Sequence, residues 1–183
     1  MQKLYIGDEI ELRPFGQKDA AEVLAIVKQN YGHLRPFLHW ATPEYSMTSA
    51  RRFIKDSQKG FSANSSHTYG IFARNILAGT IGFVNFNWPS KRTELGYWIA
   101  KDHEGKGIIT QSCKLLLEYA FTELGMNRVE IHCAAENSRS RAVPERLGFT
   151  LEGILRQSEW RHDRFYDMVI YGKLRIENGE SRI

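Results

Sequence analysis

The sequence predicts an α+β fold, in which a mostly antiparallel sheet carries helices on both faces. Two patterns support it: segments alternating between apolar and polar residues, typical of strands, and segments with apolar residues at helical spacing. Their order along the chain is strand, helices, three strands in succession, helix, strand, helix and a strand pair. At 183 residues, the chain is expected to form a single domain over residues 1–183.

The first sixty residues predict an opening strand followed by helices. Residues 9–13 (EIELR) alternate as a half-buried strand does, and residues 2–6 can pair with them. Apolar residues at helical spacing come next, and polar residues that cap helices mark the starts. The expected segments are a helix from Asp19 that ends before Asn30, a short helical turn from Leu34 to Trp40, and a helix from Ser46 or Thr48 toward Gly60.

Three consecutive strands are predicted at residues 68–74, 78–88 and 93–100. The connections between them are short and contain asparagine, proline, serine and basic residues, which favour tight turns. An antiparallel meander is therefore expected.

The second half predicts two helices and three strands. A helix from Gly107 to Leu124 crosses over to a strand at residues 128–134, and a helix capped by Asn137 ends before Gly148. Strands at residues 149–155 and 165–174 close the predicted sheet.

Composition excludes several classes of protein. No apolar run approaches the length of a membrane span, and the N-terminus does not resemble a signal peptide, so we expect a cytoplasmic protein without a membrane partner. The two cysteines and six histidines lack ligand spacing, so no metal is expected. The net charge of +4 is mild, and the arginines are spread out without interleaved aromatic residues, so nucleic acid is not an expected partner.

The turn at residues 105–110 (GKGIIT) can hold phosphate. Glycines at 105 and 107 permit backbone conformations that let successive N–H groups converge on an anion, and the following helix adds the positive end of its dipole. The spacing matches neither the P-loop nor the dinucleotide fingerprint. An ordinary connection between a strand and a helix remains the alternative.

Two longer motifs resemble a known family. Residues 94–111 (ELGYWIAKDHEGKGIITQ) and 137–149 (NSRSRAVPERLGF) are similar to the GCN5-related N-acetyltransferases (GNAT), in particular to the RimJ/RimL-like branch of ribosomal-protein N-terminal acetyltransferases. The resemblance implies a GNAT-like sheet of about seven strands with a V-shaped split between strands four and five. It also implies that the cofactor is acetyl-CoA, the acetyl thioester of CoA, which serves as the acetyl donor. The acetyl group would be transferred directly to a primary amine, expected to be a protein N-terminal amine.

The resemblance also implies which residues bind the cofactor. Pantetheine would lie along the unpaired edge of the fourth strand, and the pyrophosphate would rest on the amides of the turn. The implied cofactor-binding residues are Trp98, Ile99, Ala100, Glu104, Gly105, Lys106, Gly107, Ile108, Ile109, Thr110, Asn137 and Ser140. Three residues depart from the family pattern: Glu104 and Ile109 in the phosphate turn, and Pro144 where many relatives have a tyrosine that protonates the thiolate.

Two catalytic residues are implied. Glu94 aligns with a glutamate that relatives use as general base, and Ser140 with a serine thought to hold the CoA sulfur and donate a proton. His39, Trp40 and Glu159 are expected on the acceptor side, where the branch resemblance also admits a second subunit in a homodimer. The alternative functions are acetylation of a small amine, such as a polyamine or drug, and a non-catalytic acyl-CoA sensor or interaction module.

Overall fold

The computed structural model describes residues 3–178, with elements in the predicted order. Gln2 of the predicted pairing segment 2–6 lies outside the described residues, as do residues 179–183. The strands are β1 (Leu4–Ile6), β2 (Ile10–Pro14), β3 (His67–Ala73), β4 (Ile76–Asn87), β5 (Arg92–Ile99), β6 (Arg128–Ala134), β7 (Thr150–Arg161) and β8 (Arg164–Leu174). The α-helices are α1 (Ala20–Gln29), α2 (Tyr31–Leu34), α3 (Met47–Ser62), α4 (Ile108–Thr122) and α5 (Ser138–Arg146), and 3-10 turns lie at Gln17–Asp19, Lys101–His103 and Arg175–Asn178.

The eight strands of residues 3–178 form one sheet in the order β1-β2-β3-β4-β5-β6-β8-β7. Neighbouring strands are antiparallel except β5 and β6, whose parallel pairing needs the crossover that α4 supplies. The predicted count of about seven strands is corrected to eight, because residues 4–6 form a strand of their own against β2. The predicted meander of β3, β4 and β5 is confirmed.

The V-shaped split was predicted between strands four and five, at residues 93–100 and 128–134. With residues 4–6 counted as β1, these two strands are β5 and β6, and the split lies between them. In the described chain these strands pair at only three positions: Arg92 with Arg128, Thr93 with Val129, and Glu94 with Glu130. Beyond Glu94, β5 continues to pair with β4 while β6 pairs with β8. Glu94 and Glu130 therefore stand at the apex of the split.

A bulge in β4 lies opposite this apex. Phe83 pairs with Leu95 and Phe86 pairs with Thr93, so two residues of β4 face the single residue Glu94. The Thr93 hydroxyl donates to the carbonyl of Asn85 within the bulge, at 2.5 Å. Such bulges redirect neighbouring side chains, and this one fixes β5 where it leaves β6.

Helices cover both faces of the sheet, as predicted. On one face, α4 buries Cys113, Leu116 and Phe121 in the larger apolar core. On the other face, α1 and α3 pack Val27 and Ile54 into a second apolar cluster. Because both faces are covered, the split between β5 and β6 opens between packed layers rather than onto a bare sheet.

The short helix near residue 34 lies earlier than predicted. It occupies Tyr31–Leu34, whereas the expectation was a helical turn from Leu34 to Trp40. Pro36 has no N–H with which to continue the helix, so regular helical structure ends at Leu34 and isolated turns follow. One such turn closes where the Leu38 N–H donates to the carbonyl of Leu34, at 3.0 Å.

The start of α5 is confirmed, and its end follows closely on Pro144. The Asn137 side chain caps the helix, since its Oδ1 accepts the N–H of Ser140 at 3.1 Å. Pro144 is buried inside the helix, and only two helical residues follow it. The Leu147 N–H then contacts the carbonyls of both Val143 and Pro144, each at 3.1 Å, which tightens the last turn.

Candidate active site

A cavity of about 970 Å³ occupies the split between β5 and β6. It extends from the turn before α4 to the start of α5, and residues of α2 and the following turn close one side. Most of the predicted cofactor-binding residues line it: Trp98, Ile99, Glu104, Gly105, Gly107, Ile108, Ile109, Thr110, Asn137 and Ser140. The volume suits a drug-sized or cofactor-sized ligand.

Two of the predicted cofactor-binding residues, Lys106 and Ala100, do not line the cavity. Lys106 is exposed beside the turn, and Ala100 is buried with its N–H donated to the carbonyl of Ala78 at 2.8 Å. The expectation that Ala100 offers an unpaired edge amide is therefore wrong. Since amides along a strand point alternately to either side, the amide of Ile99 is directed toward the split.

The turn before α4 has the backbone that a phosphate cradle requires. Gly105 and Gly107 both have φ of 73°, and Gly107 is the N-cap of α4. The first bond within the helix runs from the Gln111 N–H to the Gly107 carbonyl, so the amides of residues 108–110 have no partner inside it. No atom lies within 4 Å of where a Cβ on Gly105 would stand, which leaves open space over the turn. Positive φ, free amides and the helix dipole fit a pyrophosphate group.

An ion pair with Arg139 compensates the charge of the first departure from the family pattern, Glu104. Its Oε2 accepts from Arg139 Nη1 at 2.6 Å, and its Oε1 lies 3.4 Å from His33 Nε2. Arg139 belongs to α5 and His33 to α2, so this carboxylate links three segments at the cavity edge. The negative charge beside the cradle is therefore compensated.

The second departure, Ile109, belongs to the core. Its side chain is 9% exposed and packs in the larger apolar cluster beneath α4. The backbone of the turn keeps its conformation because its glycines lie at positions 105 and 107. The branched side chain thus fills the helix interface, which explains why it fits here.

Ser140 lies in a small group of hydroxyls and a thiol. The Tyr97 hydroxyl donates to the carbonyl of Ser140 at 3.0 Å, and Ser140 Oγ lies 3.4 Å from that hydroxyl and 3.2 Å from Cys133 Sγ. Burial raises the pKa of Tyr97 well above its ordinary value, and burial also raises the pKa of the Cys133 thiol. All three groups are therefore neutral proton carriers at physiological pH.

Sequence reasoning missed Tyr97 in this group. Pro144 occupies the position where many relatives have a tyrosine, so a tyrosine acid was expected to be absent. The usable signal was strand alternation, which places Tyr97 on the α4 face of β5, opposite to Glu94. That face of β5 is the one on which Ser140 lies.

Glu94 stands at the apex among charged groups. Its Oε2 is 3.7 Å from His132 Nδ1, and His132 Nε2 is 3.0 Å from Glu130 Oε2. Burial raises the pKa of Glu94; Glu130 and Glu159 raise it further, while His132 opposes them. Burial also acts to raise the pKa of Glu130. Hydrogen bonds and the charge of Arg128 outweigh burial there, so the pKa of Glu130 is lowered.

His132 and Glu130 were not predicted. His132 lines the cavity, whereas Glu94 is not among the residues that line it. The signal for both residues was available in the alternation of VEIH at 129–132, which places Glu130 and His132 on one face of β6. What the sequence did not supply was the register that sets Glu94 beside Glu130.

The three residues predicted on the acceptor side are dispersed. His39 is exposed, and Trp40 packs in the second apolar cluster, with its ring centroid 5.9 Å from that of Trp98. Glu159 pairs with Arg161 at 2.5 Å, and it is the buried Arg161 that lines the cavity. The geometry therefore gives Trp40 a packing role.

Comparison with known proteins places the chain in a family. Residues 9–150, more than half of the chain, match the model of the acetyltransferase (GNAT) domain. The chain belongs to the GNAT acetyltransferase family. The predicted family, the enzyme class of N-acetyltransferase and the predicted fold are thereby confirmed.

The relatives of this GNAT acetyltransferase extend over nearly its whole length. The protein YdaF of Bacillus subtilis (strain 168) is 36% identical over 173 residues, which cover 94% of each chain. The structure of RimL, a ribosomal L7/L12 alpha-N-protein acetyltransferase in complex with coenzyme A, superposes with a TM-score of 0.91 at 25% identity, covering 94% of this chain and 98% of RimL.

A third similar protein is the microcin C7 self-immunity acetyltransferase MccE, solved in complex with acetyl-CoA and AMP. It superposes with a TM-score of 0.88 at 29% identity and covers 92% of this chain and 93% of its own. The cofactor expected for this GNAT acetyltransferase, acetyl-CoA or CoA, is thus the one bound in these two structures.

Within residues 3–178, no helix is long and apolar enough to span a bilayer. In the same range, no three His, Cys, Asp or Glu side chains are grouped so that they could hold a metal ion.

Proposed function

We propose that this GNAT acetyltransferase transfers the acetyl group of acetyl-CoA to the N-terminal amine of a protein in the cytoplasm. The observation that carries the proposal is that one cavity joins three parts: the amide turn before α4, the Ser140 group, and His132, whose ring lies between the two carboxylates at the apex. The similarity to RimL, which its name describes as acting on a ribosomal protein N-terminus, supports the choice of acceptor.

The turn and the free edge of β5 are the proposed donor site. The amides of residues 105–110 would hold the pyrophosphate, and the split side of β5 at Trp98 and Ile99 would hold the pantetheine arm. Thr110 Oγ1 lies 3.3 Å from Arg146 Nη1, so a cation stands beside the cradle. When bound, acetyl-CoA supplies an acetyl thioester that an amine can attack.

Direct transfer is proposed, without an acyl-enzyme. The buried Cys133 is the thiol beside Ser140, and burial raises its pKa, so the nucleophilic thiolate is disfavoured. The Ser140 hydroxyl instead holds a proton where the CoA sulfur is expected to leave. Tyr97 keeps Ser140 in place through the bond from its hydroxyl to the Ser140 carbonyl.

Glu94 is the proposed proton acceptor for the amine. At pH 7 roughly a tenth to a fifth of an α-amine is unprotonated, whereas only about one lysine side chain in several thousand is. An N-terminal amine therefore needs little help from the enzyme. A carboxylate whose pKa burial raises is matched to such an acceptor.

The test is acetyl transfer from acetyl-CoA, followed by thiol release and by mass spectrometry of the product. One peptide would carry a free N-terminus, and its matched control would carry the same sequence with a blocked N-terminus and a free lysine; spermidine would represent small amines. We expect release with the free N-terminus, and acetate on the α-amine of the product.

Two results would overturn the proposal. Release with spermidine alone would identify a small-amine acetyltransferase. Binding of acetyl-CoA without release for any amine would identify a sensor.

A further inference from the structure

A histidine between two carboxylates forms the wall of the cavity at the apex of the split. His132 lines the cavity, Glu94 on β5 lies on one side of its ring, and Glu130 on β6 lies on the other. The inference drawn from this arrangement rests on the proposed function, because it concerns how the acceptor amine loses its proton.

Glu130 is held on its far side by two arginines. Its Oε1 accepts from Arg128 Nε at 2.8 Å and from Arg92 Nη1 at 3.2 Å. These bonds leave Oε2 for His132 Nε2, at 3.0 Å. A carboxylate bound in this way keeps its charge and accepts hydrogen bonds only, so it fixes the ring nitrogen opposite to it as a donor.

The other ring nitrogen is thereby left as an acceptor. In neutral histidine only one nitrogen carries a hydrogen, so a hydrogen on Nε2 leaves the lone pair on Nδ1. The distance from Nδ1 to Glu94 Oε2, 3.7 Å, is too long for a direct hydrogen bond. Two acceptors that face each other across such a gap can share a third group that donates to both, such as an amine or a water molecule.

We propose that Glu94 and His132 remove the proton of the acceptor amine as one unit, and that Nδ1 of His132 holds this proton at the cavity wall. Glu130 acts through His132 as a positioning residue, because it selects the tautomer and does not face the cavity. Glu94 does not line the cavity and His132 does, so His132 is the member of the pair that an amine in the cavity reaches directly.

The proton count is simple. The attacking amine gives up one proton as its nitrogen bonds to the acetyl carbon, and this proton becomes bound to Nδ1. The bond between the acetyl carbon and sulfur would break in the same transfer, and the departing CoA sulfur would take the proton of the Ser140 hydroxyl. The imidazolium formed is flanked by Glu94 and Glu130, which stabilise its charge. After the product leaves, the imidazolium returns its proton to solvent through the cavity and Ser140 regains one from solvent, so the protons balance and only the amine and acetyl-CoA are consumed.

Other charged groups lie near Glu94 and the cavity that His132 lines. From β7, Glu159 acts on Glu94 through its charge, and Arg161 lines the same cavity. From β8, the residue paired with His132 is Ile170, which carries no charge. The pH dependence of catalysis therefore belongs to a coupled set in which Glu94 and His132 lie nearest to each other.

The first experiment compares His132→Gln with wild type across the pH range, using the free N-terminal peptide that shows thiol release. Glutamine can still donate to Glu130 but cannot carry the proton. We expect kcat/KM to fall by about tenfold to a hundredfold, with a displaced acidic limb and an unchanged Kd for acetyl-CoA. Glu118→Gln, on the exposed face of α4, is the control and should match wild type.

A kcat/KM within twofold of wild type and an unmoved limb would overturn the proposal. If no amine is acetylated even by wild type, it is the proposed function that fails.

A second experiment needs no turnover. Nitrogen NMR of the imidazole rings in the full chain reports the tautomer of His132, assigned by the signal missing from His132→Gln. We expect hydrogen on Nε2 in wild type and a loss of that preference in Glu130→Gln. Hydrogen on Nδ1 in wild type would overturn the proposal, whatever the activity.

Discussion

The two walls of the split are built from different chemical groups. The donor wall, formed by the turn before α4 and the residues around Ser140, presents backbone amides, hydroxyls and a thiol. The acceptor wall, formed at the apex of β5 and β6 and by β7, presents ionisable side chains that contact one another. One wall is thus defined by backbone conformation and the other by charge.

This difference explains why departures from the family pattern are tolerated on the donor wall. Glu104 is compensated by Arg139, and Ile109 turns its side chain into the core, so the amides remain in place. On the acceptor wall, one changed side chain alters the charges around all the others. We therefore expect donor-wall variants to change binding, and acceptor-wall variants to change proton transfer and its pH dependence.

The largest effect is expected for Glu94→Gln. Loss of the proposed proton acceptor should lower kcat/KM by about a hundredfold or more. In wild type, activity should fall as the pH drops through the raised pKa of Glu94, because only the carboxylate accepts a proton. In Glu94→Gln this acidic limb should be displaced in a pH series of initial rates, because His132 remains to accept the proton.

Stability provides the control for Glu94→Gln. A carboxyl whose pKa is higher in the folded than in the unfolded state favours folding at low pH, and this contribution is lost as the pH rises through the folded pKa. At neutral pH the substitution should therefore leave Tm no lower than in wild type. A large drop in Tm would mean that activity is lost through misfolding.

The next effect is expected for Gly107→Val on the donor wall. A branched residue at φ of 73° is strained by about 1–3 kcal/mol, so the turn should relax away from the binding conformation in the free protein. If restoring that conformation costs about 1.4 kcal/mol of this strain, the Kd for acetyl-CoA rises roughly tenfold. Isothermal titration would measure it. Gly32→Ala, at a glycine in α2 without positive φ, is the matched control and should bind as wild type does. If Gly107→Val and Gly32→Ala bind acetyl-CoA with equal affinity, the turn before α4 is not part of the donor site.

Ser140→Ala should have a smaller effect on turnover. The variant loses the proton donor beside the expected position of the sulfur, and we expect kcat to fall by about tenfold. Tyr97→Phe should lower kcat less, because Ser140 keeps its hydroxyl. Both are measured by thiol release at saturating acetyl-CoA. Full turnover of Ser140→Ala with an unchanged pH profile would exclude the proposed role.

The smallest effect is expected for Glu104→Gln, and it is a gain. Removing a carboxylate that is already paired with Arg139 should tighten acetyl-CoA binding by only about twofold to fivefold, since the pair is partly exposed to solvent. Arg139→Gln leaves the carboxylate without this partner and should weaken binding instead. Identical affinities in the two variants would mean that this charge pair lies outside the reach of the phosphates.

Much of the fold followed from local patterns. Alternation and capping residues located the meander, the start of α3 at Ser46 and the cap of α5 at Asn137, because these features depend on neighbouring residues. The predicted pairing of residues 2–6 with 9–13 is confirmed for residues 4–6, but the predicted count of about seven strands and the position of α2 were wrong. Both depend on short segments, in which pairing with β2 or one proline outweighs periodicity.

The residues of the candidate site show the same difference between features that depend on neighbouring residues and features that depend on strand pairing. The phosphate turn was readable because glycine spacing determines backbone conformation locally. His132, Glu130 and Tyr97 were not identified, because their roles depend on which strand lies beside which and in what register. Only the pairing of Glu94 with Glu130 places the carboxylates around His132, and this is a contact between distant parts of the chain.

The most direct test of the two-wall description is a paired measurement on Glu94→Gln and Gly107→Val. For each variant, the Kd for acetyl-CoA would be measured by titration and kcat/KM with a free N-terminal peptide across the pH range. We predict an unchanged Kd and a displaced acidic limb for Glu94→Gln, and a weakened Kd with the wild-type limb for Gly107→Val. An acidic limb that moves in Gly107→Val but stays in Glu94→Gln would contradict the assignment of proton transfer to the apex of β5 and β6.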